Sequence, residues 1–299
     1  MNLGAIEAGG TKFVYAVGDV QGKIIERVSI PTTTPKETMN NVIDFFRGYS
    51  ISGIGLGSFG PVDLHVESPL YGHITMTPKV AWRNYDVLGE LKKHFPIPIG
   101  FDTDVNAAAY GEKIWGAAKD VDSCIYMTVG TGIGVGAIVG GKLLHGLIHP
   151  EMGHILVRRH PLDQYEGKCP YHKDCLEGLA SGPAISERWG KAGLELHNRA
   201  EVWEMEAFYL AQALVNYLLI LSPKKIILGG GVMMQEQLFP LIQNKVKELI
   251  NGYIHHSAIL LDIEEYIVPA RLGQNAGISG ALALAIRAIN TDLKALKNF

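Results

Sequence analysis

The stretch Leu3-Gly-Ala-Ile-Glu-Ala-Gly-Gly-Thr-Lys-Phe-Val-Tyr-Ala-Val17 decides how this chain is to be read. Leu3–Ala8 is apolar, Gly9-Gly10-Thr11-Lys12 is a turn, and Phe13–Val17 is a second β-rich run. Gly18-Asp-Val-Gln-Gly22 then turns the chain into a third strand over Lys23–Ile30, so the reading is of strands joined by tight turns. Met39, Val42, Ile43, Phe46 and Tyr49 follow at spacings of three and four, the signature of a helix with one apolar face.

The pattern returns in the middle of the chain. Asp122–Val129 predicts a strand, Gly130-Thr-Gly132 a turn, Ile133–Val139 a second strand, and Lys142–Leu144 a third after Gly140-Gly141. Each copy places a glycine-threonine turn between its first two strands. The N–H groups of such a turn can converge on an anion, and the missing side chains let phosphate approach. Two copies predict a duplicated domain that grips one polyphosphate from both sides. A third run, Gly229-Gly-Gly231-Val232, follows the apolar strand Lys225–Leu228 and precedes a helical pattern over Gln235–Ile250. That arrangement suits a nucleotide's sugar or base against a helix start.

Two other glycine patterns do not carry a dinucleotide site. Gly55-Leu-Gly57-Ser-Phe-Gly60 leads into Pro61-Val-Asp63, and Gly132-Ile-Gly134-Val-Gly-Ala137 leads into more strand. The dinucleotide fingerprint requires a helix straight after the glycines.

Cysteine and histidine crowd into the segment that follows: Glu151-Met-Gly-His154, then Cys169-Pro-Tyr-His172-Lys-Asp-Cys175. Thiolate and imidazole are the donors tetrahedral zinc prefers, and four protein ligands make a structural site. His145, His149 and His160 lie nearby, so spacing leaves the fourth ligand open beside Cys169, His172 and Cys175. Glu151 and His154, three apart, can grip adjacent sugar hydroxyls, or Glu151 is a plain surface carboxylate. Asp104, in Asp102-Thr-Asp-Val-Asn106 after the short strand Ile97–Phe101, suits the proton acceptor of a phosphoryl transfer. The alternative is that Asp102 or Asp104 only caps the helix that follows.

The whole chain sets bounds. At 299 residues, with 47% hydrophobic and 19% charged residues, it is long enough for two compact domains. A net charge of −3 offers no basic footprint for nucleic acid. Of three cysteines, only Cys124 lies outside the cluster, in an apolar run that reads as core, so no disulfide framework is expected. The N-terminus lacks a secretory pattern, and Ala207–Leu221 is too short and too polar to span a bilayer; cytoplasm is the expectation, with no membrane partner.

These motifs together resemble the ROK family (repressors, open reading frames and kinases) of the actin-like ATPase superfamily, in its bacterial zinc-containing fructokinase branch. The resemblance rests on Glu7-Ala-Gly-Gly-Thr11-Lys, Asp104-Val-Asn106-Ala-Ala, Gly130-Thr-Gly-Ile-Gly-Val-Gly136, Glu151-Met-Gly-His154 and Gly229-Gly-Gly-Val232. It implies an α/β fold of two ribonuclease-H-like domains with a cleft between them, 1–118 and 119–299, hinged near Gly116–Asp120. The last helical stretch, Ala276–Ile289, would pack back on the first domain. It implies ATP-dependent phosphorylation of D-fructose at the 6-hydroxyl, with Mg²⁺ travelling with ATP, a structural Zn²⁺ and a homodimer.

Residue by residue, the resemblance makes Asp104 the general base and Glu151, His154, Glu177 and Thr103 the sugar contacts. Gly10, Thr11, Lys12, Thr131 and Gly132 would cradle phosphates, and Pro183 with Gly231, Val232, Met233, Met234 and Gln235 would line the adenosine. His154, Cys169, His172 and Cys175 would bind zinc. Three positions depart from the wider family: Glu7 stands for the usual Asp, the metal spacing is Cys-x-x-His-x-x-Cys, and Thr77-Pro-Lys-Val-Ala-Trp82 with Thr103 replaces the glucokinase amides. The departures argue against a strict glucokinase. A broader hexokinase or mannokinase is the rival enzyme reading. A sugar-responsive repressor would carry a DNA-binding helix pair ahead of a glycine loop that here begins at residue 9, and an actin-like filament protein would have no use for Asp104 or the metal segment.

Overall fold

The computed structural model describes residues Met1–Leu296 and divides into two units. The first unit comprises Met1–Lys119, Leu143–Pro150 and the segment from Asn275. The second comprises Asp120–Lys142 and Glu151–Gln274.

In the first unit β1 (Asn2–Ala8), β2 (Lys12–Asp19) and β3 (Ile24–Pro31) form the antiparallel part of a five-stranded sheet. Helix α1 (Pro35–Arg47) starts on Thr34, whose hydroxyl accepts from Glu37 N, with Pro35 at the first helical position, where its missing N–H costs nothing. Its buried face is Met39, Val42, Ile43 and Phe46, while Tyr49 lies beyond its end. Strand β4 (Ile54–Ser58), a small ladder of β5 (His73–Ile74) and β6 (Tyr85–Asp86), helix α2 (Val87–His94), strand β7 (Ile99–Thr103) and helix α3 (Asp104–Trp115) follow. The sheet order is β3-β2-β1-β4-β7, with β1, β4 and β7 parallel.

The second unit repeats that order. Strands β8 (Cys124–Val129), β9 (Ile133–Val139) and β10 (Lys142–Leu143) precede helices α4 (Leu176–Ala180), α5 (Gly182–Trp189) and α6 (Ala200–Leu221). Then come β11 (Lys225–Gly229), α7 (Leu238–Ile250), the short α8 (Ser257–Leu260) and α9 (Ile263–Tyr266), and β12 (Ile267–Pro269). The sheet runs β10-β9-β8-β11-β12, with β8 antiparallel to β9 and parallel to β11. The helix expected from Gln235 begins instead at Leu238, after a 3-10 turn over Val232–Met234.

The final helix, α10 (Ala276–Leu296), belongs to the first unit and packs on β1, β4, β7 and α3. Glycines make that approach possible. A Cβ on Gly55 would fall 1.7 Å from Ala281 O, and one on Gly280 would fall 1.8 Å from Ala107 O. Backbone therefore meets backbone at these two crossings, which no larger residue permits. One face of the first sheet buries Ile6, Phe13, Tyr15, Phe46, Leu56 and Trp82, the other Leu3, Ala5, Val14, Ile278 and Leu282. Among the described residues, no helix is long and apolar enough to cross a membrane.

Candidate active site

In the first unit, β1 runs into the turn Gly9–Thr11. Gly9 N donates to Lys12 O at 3.0 Å, and a Cβ at Gly9 would lie 2.7 Å from that oxygen. The amides of Gly10 and Thr11 donate to no protein group among the described residues, so two N–H groups are left for an anion. Lys12 is exposed beside them. Burial raises the Glu7 carboxyl above its usual range, against the lowering influence of Lys12 and Arg27.

Strand β7 delivers Asp104 to the first position of α3. Thr103, not either aspartate, is the cap: its Oγ1 accepts from Asn106 N at 3.2 Å. Thr103 is 3% exposed, so its hydroxyl is committed to the helix that orients Asp104. Asp104 is partly exposed, and its Oδ1 accepts from Val105 N at 2.9 Å. Asp102 is buried and fully used. Its Oδ1 accepts from Thr103 N and from Asn106 Nδ2, both at 2.8 Å, and its Oδ2 lies 2.9 Å from His145 Nε2. Asn106 Nδ2 also donates to Leu144 O at 3.4 Å. His145 and Asn106 were thus visible in the sequence only as a spare histidine and a motif letter; the bond of His145 to Asp102 joins residues 43 positions apart in the chain.

In the second unit, Glu151 leads a 3-10 turn whose closing bond runs from His154 N to Glu151 O at 3.0 Å. The turn presses on β9: a Cβ at Gly153 would fall 1.8 Å from Ile133 O. Glu177, in the first turn of α4, accepts from Ile133 N at 3.0 Å through Oε2, and its Oε1 lies 4.0 Å from His154 Nε2. It therefore links the glycine turn Gly130–Gly132 to the Glu151–His154 turn. Gly182 N donates to Gly130 O at 2.8 Å, which brings Pro183 to the same turn. Gly230, with φ +91°, keeps β11 close to Val129, where a Cβ would lie 2.4 Å from the carbonyl oxygen. Thr131, Gly231 and Met234 are exposed and Val232 half-buried, whereas Met233 and Gln235 are buried. Gln235 Oε1 sits 2.7 Å from His197 Nδ1, so its side chain secures the loop from within.

The four donors of His154, Cys169, His172 and Cys175 all lie within 4.8 Å of one another and could hold a metal ion. His154 Nδ1 is 3.5 Å from Cys175 Sγ and 3.7 Å from Cys169 Sγ, which is 3.7 Å from His172 Nδ1. Among the histidines near Cys169, His172 and Cys175 in the sequence, His154 is the one whose ring nitrogen joins them. His145 is bonded to Asp102, and His160 Nδ1 accepts from Leu162 N. Burial pushes the Cys175 thiol up to about 12, the reverse of what a bound cation would impose on a thiolate.

The duplicated sheets joined by glycine turns have the fold of ROK sugar kinases of known structure, and the chain belongs to the ROK family, whose model matches residues 3–288. It is 50% identical over 289 residues to the fructokinase of Pediococcus pentosaceus, covering 97% of this chain and 99% of that one. It is 59% identical over 290 residues, 97% of each chain, to a Bacillus subtilis (strain 168) protein described provisionally as a fructokinase. A ROK glucokinase from Streptomyces griseus, solved with glucose and AMPPNP, shares the fold at a TM-score of 0.78 and 24% identity, covering 96% of this chain and 100% of that one.

Proposed function

We propose that the chain phosphorylates D-fructose at its 6-hydroxyl with ATP. The observation that carries this reading is identity of 44–50% to fructokinases of Pediococcus pentosaceus and Zymomonas mobilis over 96–97% of the chain. Asp104 is the general base. Phosphoryl transfer asks little covalent work of a protein, but the attacking hydroxyl must be oriented and its proton accepted. Asp104 starts α3, and Asp102, Asn106 and Thr103 fix that helix end from below. Glu151, His154 and Glu177 hold sugar hydroxyls. The glycine turns at 9–11 and 130–132 take ATP phosphates, and Pro183, Gly231, Val232 and Met234 line the adenosine.

Mg²⁺ arriving with ATP would supply neutralisation of the phosphate charge, part of it through water. Glu7 fits as the carboxylate that reaches such a water. Gly277 leaves its longer arm room, since a Cβ there would lie 2.4 Å from Glu7 Cδ.

The Cys/His cluster fits zinc. With Zn–S near 2.3 Å and Zn–N near 2.0–2.1 Å, a tetrahedron has sulfur–nitrogen edges of about 3.5–3.6 Å. Three of the four sulfur–nitrogen separations, at 3.5, 3.7 and 3.7 Å, match. With Nδ1 facing the sulfurs, His154 keeps Nε2 on the side of Glu177, available as a fixed donor to a sugar hydroxyl.

A coupled assay of ADP release with ATP and Mg²⁺ across fructose, mannose, glucose and N-acetylmannosamine tests the reading. A clear preference for fructose is the expected result. Preference for mannose or glucose would move the chain to a broader hexokinase, and no turnover on any hexose would overturn the kinase.

A further inference from the structure

We propose that Lys79 is a further catalytic residue, whose ammonium neutralises charge on the phosphoryl group in transfer. The inference rests on the kinase reading above. Lys79 lies in the loop Thr77–Trp82, where the sequence departs from the glucokinase pattern, and its stem runs along the first glycine turn: a Cβ at Gly10 would lie 3.5 Å from Lys79 Cε. That turn holds the two amides, of Gly10 and Thr11, that donate to no protein group among the described residues.

The placement is built, not incidental. Lys79 N donates to Thr77 Oγ1 at 3.4 Å, and Trp82 N donates to Lys79 O at 2.8 Å. Trp82 is 1% exposed, donates Nε1 to Thr33 O at 2.8 Å, and packs on Phe13 with ring centroids 5.1 Å apart. Phe13 is the second residue of β2, immediately after the glycine turn. One buried indole therefore fixes both the turn and the loop that carries Lys79.

The charge is also uncommitted. Lys93, Lys168, Lys224 and Lys245 each pair with a carboxylate, whereas among the described residues Lys79 has neither an ion pair nor a side-chain hydrogen bond. A half-buried cation beside two free amides is arranged for an anion that arrives with its own charge. In the transfer step the sugar oxygen bonds to the γ-phosphorus as the bond to the bridging oxygen breaks. The electron pair leaves with ADP, the hydroxyl proton passes to Asp104, and Lys79 keeps its protons throughout.

Lys79→Met keeps the stem and removes the charge, and Lys79→Arg restores a cation; unchanged melting temperatures check the fold of both. In the fructose assay, K79M should lower kcat by about 10²-fold, the loss typical of one transition-state donor, with KM for fructose within about threefold. K79R should recover part of the loss. By calorimetry, K79M should weaken ATP binding about tenfold and leave ADP binding unchanged, because one charge-assisted phosphate contact is lost. Turnover by K79M within twofold of wild type, or equal losses for ATP and ADP, would overturn the proposal. If the unmodified chain phosphorylates no hexose, the kinase reading fails by itself. Lys79 is then judged on binding, and equal ATP affinity in wild type and K79M overturns it.

Discussion

His145 Nε2 and Asp102 Oδ2 lie 2.9 Å apart, joining a partly exposed imidazole to a carboxylate only 3% exposed at the base of the helix that presents Asp104. The hydrogen bond to Asp102 raises the His145 pKa above 6.5, ahead of burial, which lowers it, and of the charge of Arg287, which also lowers it. A histidine whose pKa is raised by folding adds stability that is complete below its unfolded pKa and fades as pH rises through the folded one. Urea unfolding of the wild type should therefore lose an increment of stability above pH about 6.5 that His145→Gln lacks altogether. Parallel pH profiles for the two proteins would show that the pair is not coupled to folding. His145→Gln should also lower kcat by about tenfold through a looser Asp104, an effect of misplacement and not of lost chemistry.

Asp104→Asn should abolish most turnover while leaving fructose bound. The amide is isosteric with the carboxylate and can still accept from Val105 N, so α3 keeps its start. It cannot take a proton. General-base removal of this sort costs about 10²–10⁴-fold in kcat. Fructose affinity by calorimetry should stay within about threefold, since Asp104 contributes mainly in the transition state. Normal turnover in this variant would remove Asp104 from the mechanism.

Periodicity and turn chemistry were enough to find the strands flanking both glycine turns, because alternating burial and glycine punctuation are local signals. Strand β2 was read as Phe13–Val17 and runs Lys12–Asp19; β9 was read as Ile133–Val139 and runs so. Helix starts were harder. The helix expected from Gln235 starts at Leu238, because Gln235 turns inward to His197, a partner no local window contains. The cap of α3 was narrowed to the wrong two residues, as Thr103 sits between aspartates that are both good caps by type. Site residues with a spacing of their own, such as Cys169, His172 and Cys175, were legible. Asp102–His145 was not, because it joins residues that only β7 and the Leu143–Pro150 segment bring together.

Gly280→Val should be among the costliest single changes in the first unit. A Cβ at Gly280 already falls 1.8 Å from Ala107 O and 2.2 Å from its carbonyl carbon, so α10 and α3 would have to separate. Overpacking of this kind costs about 1–3 kcal/mol where side chains can yield. Backbone cannot yield, so the upper part of that range or beyond is expected, read as a fall in the urea midpoint with an unchanged slope. Because α3 carries Asp104, turnover should fall with stability. A variant as stable as wild type would show that α10 and α3 do not meet backbone to backbone at Gly280.

Metal removal should act on the segment between Ile155 and Cys175. That stretch carries no regular element and is held by isolated contacts: bridges pairing Leu156 with Cys175 and Cys169 with Lys173, and Arg159 reaching the carbonyls of Tyr165 and Glu166 and the carboxylate of Asp174. Cys169 and Cys175, both buried, lie beside two imidazoles, a set of soft donors that a cation would hold together. The purified protein should contain about one zinc per chain, and chelation should lower its melting temperature by several degrees, since binding energy here is folding energy. The loss should reach the sugar before the nucleotide. His154 turns Nδ1 to the cluster and Nε2 toward Glu177, so a cluster residue is itself a proposed sugar contact, whereas none of the four cluster residues is assigned to the nucleotide. Chelated enzyme should therefore show a raised KM for fructose with a KM for ATP changed less. Fully active, equally stable protein with no bound metal would remove the structural role from these four residues.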